Sequence, residues 1–170
     1  MLTLCSTCFV LNATPPPMNP SATNTAIALS IAALAVPSVT AHAQAPKAEF
    51  VGTSATAPLS QFVRVGETIY LSGMLGSTPE GLVSGGVAAE TRQALTNIKA
   101  ALEKSGTTMD DVVKCTVFLA DMAEWGAMNE VYTTFFVKNK PARSAVGVNG
   151  LARSARVEIE CVAVRGAGTK

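Results

Sequence analysis

Two segments near the C-terminus constrain the fold more than any other feature of the chain. Residues 143–148 and 156–164 consist mainly of small or apolar residues, and the second contains the run Val-Glu-Ile-Glu-Cys-Val-Ala-Val. Alternation of this kind predicts β-strands, because successive side chains of a strand point to opposite faces of the sheet. Arg143, Glu158 and Glu160 interrupt the apolar pattern. Since burying a charge is costly, these residues are solvated, paired, or available to a charged ligand.

The remainder of the chain predicts an α+β domain with the element order β-β-α-β-α-β-β. Turn residues and a period of two indicate the strands, and apolar residues at a period of 3.6 indicate the helices. These elements are a hairpin at 62–65 and 68–73, a loop at 77–86, a helix at 87–105 ended by Gly106, a strand at 112–119, and a helix at 123–137 capped by Asp121. One further short strand near Val51 precedes them in the lead-in. With the closing strands they form a mixed sheet with two helices packed on one face.

Such a sheet leaves its second face to be covered. The closing strand is apolar on both of its sides, with Val157 and Ile159 on one and Val162 and Val164 on the other. In a chain of 170 residues, self-association is the simplest way to cover this face. We therefore expect a homo-oligomer.

The N-terminal part of the chain has the pattern of an export signal. Residues 1–46 contain no Lys, Arg, Asp or Glu, residues 26–36 form an apolar run, and an A-x-A cleavage site ends at Ala43. The pattern predicts a leader at residues 1–43, a flexible lead-in at 44–56, and a periplasmic or secreted protein. Because spanning a membrane takes about 20 apolar residues, we expect no membrane association after cleavage.

This signal has one unusual feature, since no basic residue precedes the apolar run. Met18 follows three prolines and is an alternative start, although starting there does not supply the missing charge. The alternatives are a disordered N-terminal tail or a mis-assigned start at Met1, with a cytoplasmic protein in the latter case.

The four cysteines fall into two pairs. Cys5 and Cys8 form a CxxC pair, but they precede the apolar run and no second ligand pair follows, so they are weak evidence for a zinc or redox site. Cys115 and Cys161 both lie in predicted strands. They are either small buried core residues or, in an exported protein, the partners of a disulfide.

Composition argues against several classes of function. The net charge is +1 and aromatic residues make up 5% of the chain, so we expect no nucleic-acid partner. The only histidine, His42, lies in the predicted leader, which leaves the mature chain without a Ser-His or Cys-His mechanism. The sequence contains no metal-ligand cluster, and the glycine-rich stretches 81–86 and 147–150 do not match a phosphate-binding loop. These patterns therefore favour neither a metal site nor a nucleotide site.

Arg143 is the first candidate for a ligand-binding residue. Pro141 precedes it, and the small residues Ala142, Ser144 and Ala145 surround it. Small neighbours leave room for a ligand beside a guanidinium group whose geometry suits a carboxylate. The alternative is a solvated cation on an edge strand.

Glu158 and Glu160 point to the same side of their predicted strand, because side chains repeat with a period of two. Either is a candidate for handling a proton or a water molecule, since shielding from water favours the neutral form of a glutamate and helps it to act as a general base. The alternative is a solvated outer face on which they pair with Arg156 or with lysines.

Five short motifs carry a resemblance to a known family. They are Leu-Ser-Gly at 71–73, Val-Phe-Leu-Ala-Asp at 117–121, Met-Asn-Glu-Val-Tyr at 128–132, Pro-Ala-Arg-Ser at 141–144 and Glu-Ile-Glu at 158–160. Through them the chain resembles the reactive intermediate deaminase family (RidA, also called YjgF), over a domain at residues 57–166 with a tail at 167–170. The resemblance implies a chorismate-mutase-like protomer, a homotrimer with a barrel-like core, and pockets between adjacent subunits.

The same resemblance implies an activity and a set of site residues. It implies hydrolysis of enamines and imines, such as 2-aminoacrylate and 2-iminopropionate, to a 2-keto acid and ammonia without a cofactor. The family's carboxylate-binding arginine falls on Arg143, and its water-positioning glutamate falls on Glu158 rather than Glu160. The implied substrate-binding residues are Gly73, Ala145, Asn129 and the adjoining Ser72.

Three positions depart from the family's motifs. Leu59 replaces a pocket tyrosine, Met74 replaces a frequent glutamine, and Ala145 replaces a common cysteine. The first two imply a more apolar pocket. We expect a cofactor-independent deaminase of small imino or enamino acids. The alternative is a non-catalytic protein that binds or senses small carboxylates with the same arginine, while a ribonuclease fits poorly with the near-neutral charge.

Overall fold

The computed structural model describes residues 45–56 and 58–168. The predicted leader at residues 1–43, with its two cysteines and His42, lies outside these residues, as do Ala57 and the last two residues of the predicted tail. In the part of the chain that is described, no helix has the length and apolar character needed to cross a membrane.

The described residues form nine strands and two α-helices. The strands are β1 (Ala48–Val51), β2 (Phe62–Val65), β3 (Thr68–Leu71), β4 (Met74–Leu75), β5 (Ser77–Thr78), β6 (Gly81–Leu82), β7 (Val112–Leu119), β8 (Ala142–Gly147) and β9 (Val157–Val164), and the helices are α1 (Gly86–Ser105) and α2 (Trp125–Thr133). All the predicted elements are present. The predicted loop at residues 77–86 is wrong in one respect, because it contains the two-stranded hairpin β5–β6.

Seven of these strands form one mixed sheet. The order is β1-β2-β3-β9-β7-β8, and β4 also pairs with β9. β7 and β8 are parallel, and the other pairs in this sheet are antiparallel. A parallel neighbour needs a crossover connection, and α2 lies in the segment that joins β7 to β8. The α+β fold with a mixed sheet is thereby confirmed, and β8 lies at one edge of it.

The second helix is shorter than predicted. Asp121 acts as a cap as expected, because its side chain accepts a hydrogen bond from Ala123 N–H at 2.9 Å, but it caps a short 3-10 turn at Met122–Glu124 that precedes α2. At the other end, the Thr134 hydroxyl donates to the Val131 carbonyl at 2.7 Å. Bonding of this kind competes with continuation of the helix, and α2 ends at Thr133.

The core lies between the helices and one face of the sheet. Leu95 and Ile98 of α1, Val117 of β7 and Ile159 of β9 are fully buried there. Glu90 of α1 is also buried, although glutamate is rarely buried without a partner. Its carboxylate accepts a hydrogen bond from Arg156 N–H at 2.8 Å, which offsets the cost of burying it.

Cys115 and Cys161 combine both roles that the sequence left open. They are opposite each other on β7 and β9, both are buried in the core, and they form a disulfide with a Cα–Cα distance of 4.1 Å. The bond therefore joins two central strands of the sheet.

Candidate active site

Arg143 is the second residue of edge strand β8 and points to the side of the sheet that carries the helices. It is opposite Cys115, which is buried beneath the helices, and paired residues of adjacent strands share a face. Its guanidinium carbon is 4.5 Å from the ring centroid of Tyr132 and 5.7 Å from that of Trp125, both on α2. The side chain is half-buried as a result.

The charge of Arg143 is not neutralised by the described residues. Among them, the structure gives its guanidinium no ion pair and no hydrogen bond. Arg156 differs, since its Nε lies 2.8 Å from both carboxylate oxygens of Glu124, and this pairing raises the pKa of Arg156. The N–H donors of Arg143 are thus available to an anion, and a carboxylate fits their geometry.

A cleft of about 450 Å³ adjoins Arg143. Its lining combines polar and apolar groups from α2 and the segment that leads into β8: Asn129, Tyr132, Thr133, Phe136, Val137, Lys140, Pro141 and Arg143. Burial raises the pKa of Tyr132 to about 12, although the nearby Arg143 acts in the opposite direction, so the phenol is neutral at physiological pH. The structure therefore brings Arg143 and the predicted Asn129 into one cleft.

Glu158 lies on β9 in contact with a glycine. A Cβ atom added to Gly73 would lie 2.8 Å from Cδ of Glu158 and closer still to one carboxylate oxygen. The glutamate side chain thus occupies the space that any larger residue at position 73 would need. The structure brings these two predicted site residues together, and Glu158 is half-buried while Glu160 is exposed.

The two glutamates share one side of β9, as predicted, and this side faces away from the helices. Val157, Ile159 and Cys161, which alternate with them, are buried in the core. The alternative expectation included a pairing with Arg156, and this part of it is wrong, because the Arg156 guanidinium binds Glu124. Glu160 instead lies opposite Thr116 on β7.

Within one chain, Ser72 and Ala145 have structural surroundings that do not include the cleft. The Ser72 hydroxyl donates to the Ser60 carbonyl at 2.7 Å and its N–H donates to Gln61 at 3.2 Å, so the serine holds the segment before β2. Ala145 lies two residues after Arg143 on the same face, opposite Val117, and packs against the core. Neither side chain reaches into the cleft beside Arg143.

Leu59 and Met74, the two departures that imply a more apolar pocket, differ in their surroundings. Leu59 is among the exposed large apolar residues. Met74 lies opposite Ile159 and packs against the core. The methionine therefore contributes to packing on the helix side of the sheet, whereas Glu158 is on the other side.

The predicted site residues form two groups on opposite faces of the sheet. Arg143 is in register with Cys115 of β7 and Cys161 of β9. Glu158 is in register with Phe118 of β7 and Val146 of β8, which lie three residues after Cys115 and Arg143. Arg143 and Asn129 lie on the helix side, and Glu158 and Gly73 lie on the open side. One protomer therefore does not bring Arg143 and Glu158 into one site.

Sequence reasoning missed the aromatic contacts of Arg143. The motif that ends at Tyr132 predicted no contact with Arg143, and Trp125 had no predicted role. The signal is nonetheless present, because Trp125, Asn129 and Tyr132 are spaced i, i+4 and i+7 and so lie on one face of a helix.

No metal site is apparent within residues 45–56 and 58–168, where no group of three or more His, Cys, Asp or Glu side chains could hold an ion.

Asp111 is a buried acidic residue with a structural role. Its carboxylate accepts from Gly168 N–H and Thr108 N–H, both at 3.0 Å. Burial raises the pKa of Asp111, but these hydrogen bonds outweigh it and hold the pKa below its usual value.

Comparisons with known proteins identify the family. The Endoribonuclease L-PSP family matches residues 51–165. A 2-iminobutanoate/2-iminopropanoate deaminase from Mus musculus is 48% identical over 115 residues, which cover 66% of this chain and 85% of the mouse protein. The crystal structure of E. coli YjgF has a TM-score of 0.64 at 38% identity and covers 69% of this chain and 98% of its own. The crystal structure of E. coli TdcF with bound serine has a TM-score of 0.64 at 32% identity, and the match covers 69% of this chain and 99% of the TdcF chain. The chain belongs to the Endoribonuclease L-PSP family, in which its motifs are those of RidA and YjgF.

Proposed function

We propose that the protein is a cofactor-independent hydrolase that converts small imino and enamino acids into 2-keto acids and ammonia. The observation that carries the proposal is the guanidinium of Arg143, which no described residue neutralises, in a cleft shared with Asn129. The similarity to the mouse 2-iminobutanoate/2-iminopropanoate deaminase supports this substrate class. The bound serine in TdcF, which has an amino-acid carboxylate, supports it as well.

In the proposed reaction, Arg143 donates two N–H groups to the substrate carboxylate and thereby fixes the imine carbon beside Glu158. A water oxygen bonds to that carbon, one water proton passes to Glu158, and the C=N π electrons move to nitrogen, which takes the proton from Glu158. The hydroxyl proton of the adduct then moves to nitrogen through the same carboxylate. The C–N bond breaks, the C=O bond forms, and ammonia leaves.

This reaction needs two chains, because Arg143 and Glu158 lie on opposite faces of one sheet. We expect the Arg143 edge of one protomer to meet the Glu158 face of the next, in a homotrimer with a barrel-like core. The open face of the sheet supports self-association. One cross-strand row on it consists of Phe50, Val63, Tyr70 and Val162, of which Phe50 is 65% and Tyr70 50% exposed.

The assay for this function is the release of ammonia and 2-keto acid from imines that an amino-acid oxidase generates in situ. Imines from several parent amino acids define the preferred side chain. The wild-type protein should accelerate release over buffer, and Glu158→Gln should abolish the acceleration while 2-oxobutanoate still binds. A binding or sensing protein would bind 2-oxobutanoate equally well in both forms and would accelerate nothing. Glu160→Gln is the matched control, because it removes the neighbouring charge from the same face.

We also propose that the mature protein works outside the cytoplasm, in the periplasm or the medium. The buried Cys115–Cys161 disulfide supports an oxidising compartment, since such bonds rarely persist in the cytosol. Expression of the whole chain in a Gram-negative host, followed by fractionation and mass spectrometry, tests the proposal. Export predicts a periplasmic product that begins at Gln44, and an Ala43→Arg variant should block cleavage. An uncleaved cytosolic product would contradict it.

A further inference from the structure

The position of the Arg143 guanidinium is determined by two aromatic rings. We propose that Trp125 is a positioning residue, which together with Tyr132 holds the guanidinium in place for a ligand carboxylate. The inference rests on the proposed function of Arg143 as a carboxylate clamp. It extends that function to a residue that lies outside the family motifs quoted above.

The distances are those of cation–π contacts. Such contacts form when a guanidinium lies within about 6 Å of a ring centroid, and the guanidinium carbon of Arg143 meets this criterion at 4.5 Å for Tyr132 and 5.7 Å for Trp125. Both rings project from the same face of α2, two helical turns apart. A free arginine side chain has large rotamer freedom, and two rings restrict it before a ligand arrives.

Aromatic contacts suit this task better than a carboxylate partner would. A ring face attracts the cation without accepting its N–H bonds or cancelling its charge. By contrast, Arg64 donates to Glu49 and to the Ser105 carbonyl, and Arg156 binds Glu124. Those two guanidinium groups are already occupied by oxygen atoms, whereas no group in the described part of the chain accepts from the donors of Arg143.

The two rings differ in burial, and this difference makes Trp125 the informative residue. Tyr132 is 5% exposed and belongs to the core, so its replacement disturbs packing. Trp125 is 40% exposed at the first position of α2, and its replacement leaves the core in place. It is also the only tryptophan of the chain, so tryptophan emission reports on this site alone.

The experiment compares Trp125→Leu, which removes the aromatic face, with Trp125→Phe, which keeps one. Met122→Ala is the matched control, because Met122 is a similarly exposed apolar residue just before α2 without a ring contact to Arg143. Ligand-detected NMR titration gives the Kd for 2-oxobutanoate, which is the 2-keto acid formed when 2-iminobutanoate is hydrolysed. Steady-state assays give kcat and KM, and thermal melts give Tm.

Loss of one cation–π contact should weaken binding of 2-oxobutanoate by about fivefold in Trp125→Leu. KM should rise by about the same factor with kcat changed by less than about twofold, because the clamp contributes equally to ground-state and transition-state binding. Trp125→Phe should restore most of the affinity, and Met122→Ala should match the wild type. In the wild type, 2-oxobutanoate should change tryptophan emission, and in Arg143→Ala it should not.

Two results would overturn the inference. Wild-type affinity in Trp125→Leu would mean that the ring does not position Arg143. Equal losses in Trp125→Leu and Trp125→Phe, with a lowered Tm, would mean that the tryptophan acts through stability alone. Failure of the proposed function would give a different result from both. The wild-type protein would then bind 2-oxobutanoate but release no ammonia from imines.

Discussion

The carboxylate of Glu158 occupies the space into which a side chain at Gly73 would extend. The φ angle of Gly73 is not among the positive values found for other glycines, so the close approach, and not the backbone conformation, requires glycine here. The link between β3 and β4 thereby sets the position of the glutamate on β9. A site residue and its neighbour are thus coupled through a single missing Cβ atom.

Gly73→Ala should therefore displace Glu158 without unfolding the protein. We expect kcat to fall on the order of 100-fold or more, as for loss of a general base, with Kd for 2-oxobutanoate changed little. Gly126→Ala is a suitable control, because a Cβ atom there meets no heavy atom within 4 Å. Wild-type kcat in Gly73→Ala would mean that the position of Glu158 does not matter for turnover.

Arg143→Ala should abolish measurable turnover, and Arg143→Lys should restore little of it. A lysine supplies one charge centre but lacks the planar fork that binds both carboxylate oxygens. The loss of two charge-assisted hydrogen bonds should lower kcat/KM by about 10²- to 10³-fold or more. Arg92→Ala removes the same charge from the exposed side of α1 and should retain full activity. Normal turnover in Arg143→Ala would refute the clamp.

Co-expression of two inactive variants tests whether the site lies between subunits. Co-expressed Arg143→Ala and Glu158→Gln chains should regain activity, because some interfaces then combine an intact arginine with an intact glutamate from the adjacent protomer. Random assembly of a cyclic trimer predicts about a quarter of wild-type activity. As a control, the two variants are purified separately and then mixed, and the mixture should remain inactive as long as the subunits do not exchange. A site within one chain would give no recovery in either case.

Asp111 should contribute to stability in a pH-dependent way. Its pKa is lowered in the folded protein, so its contribution is present above the unfolded value, about 3.9, and disappears as the pH falls through the folded pKa. Asp111→Ala should lower the free energy of unfolding at pH 7 by about 1–3 kcal/mol. Urea unfolding between pH 7 and pH 2.5 should show the two proteins converging at the acid end. A constant difference would contradict this assignment.

The Cys115–Cys161 disulfide should stabilise the sheet. It closes a loop with a sequence separation of 46 residues, for which the loss of chain entropy predicts about 4 kcal/mol at most. Replacing both cysteines by alanine should lower Tm, and a reducing agent should lower the Tm of the wild type but not that of the double variant. Equal Tm values for the wild type with and without reductant would mean that the bond does not contribute.

Most of the secondary structure followed from the sequence, because hydrophobic period and turn residues act locally. β7 and the alternation of Glu158 and Glu160 with buried neighbours on β9 were predicted correctly. The end of α2 was not, since it depends on hydroxyl groups that bond to the helix's own carbonyls. The burial of Glu90 was not either, because its partner Arg156 is remote in the chain.

For the site, the sequence by itself determined which residues are candidates, because the motifs that resemble the family place an arginine at 143, a glutamate at 158 and a glycine at 73. Only the tertiary structure decided how they are distributed. The strand register places Arg143 on the helix side and Glu158 on the open side, and the packing of α2 brings Trp125 and Tyr132 to Arg143. The physical reason is that the face of a strand and the contacts of a helix depend on long-range pairing, which local sequence patterns do not encode.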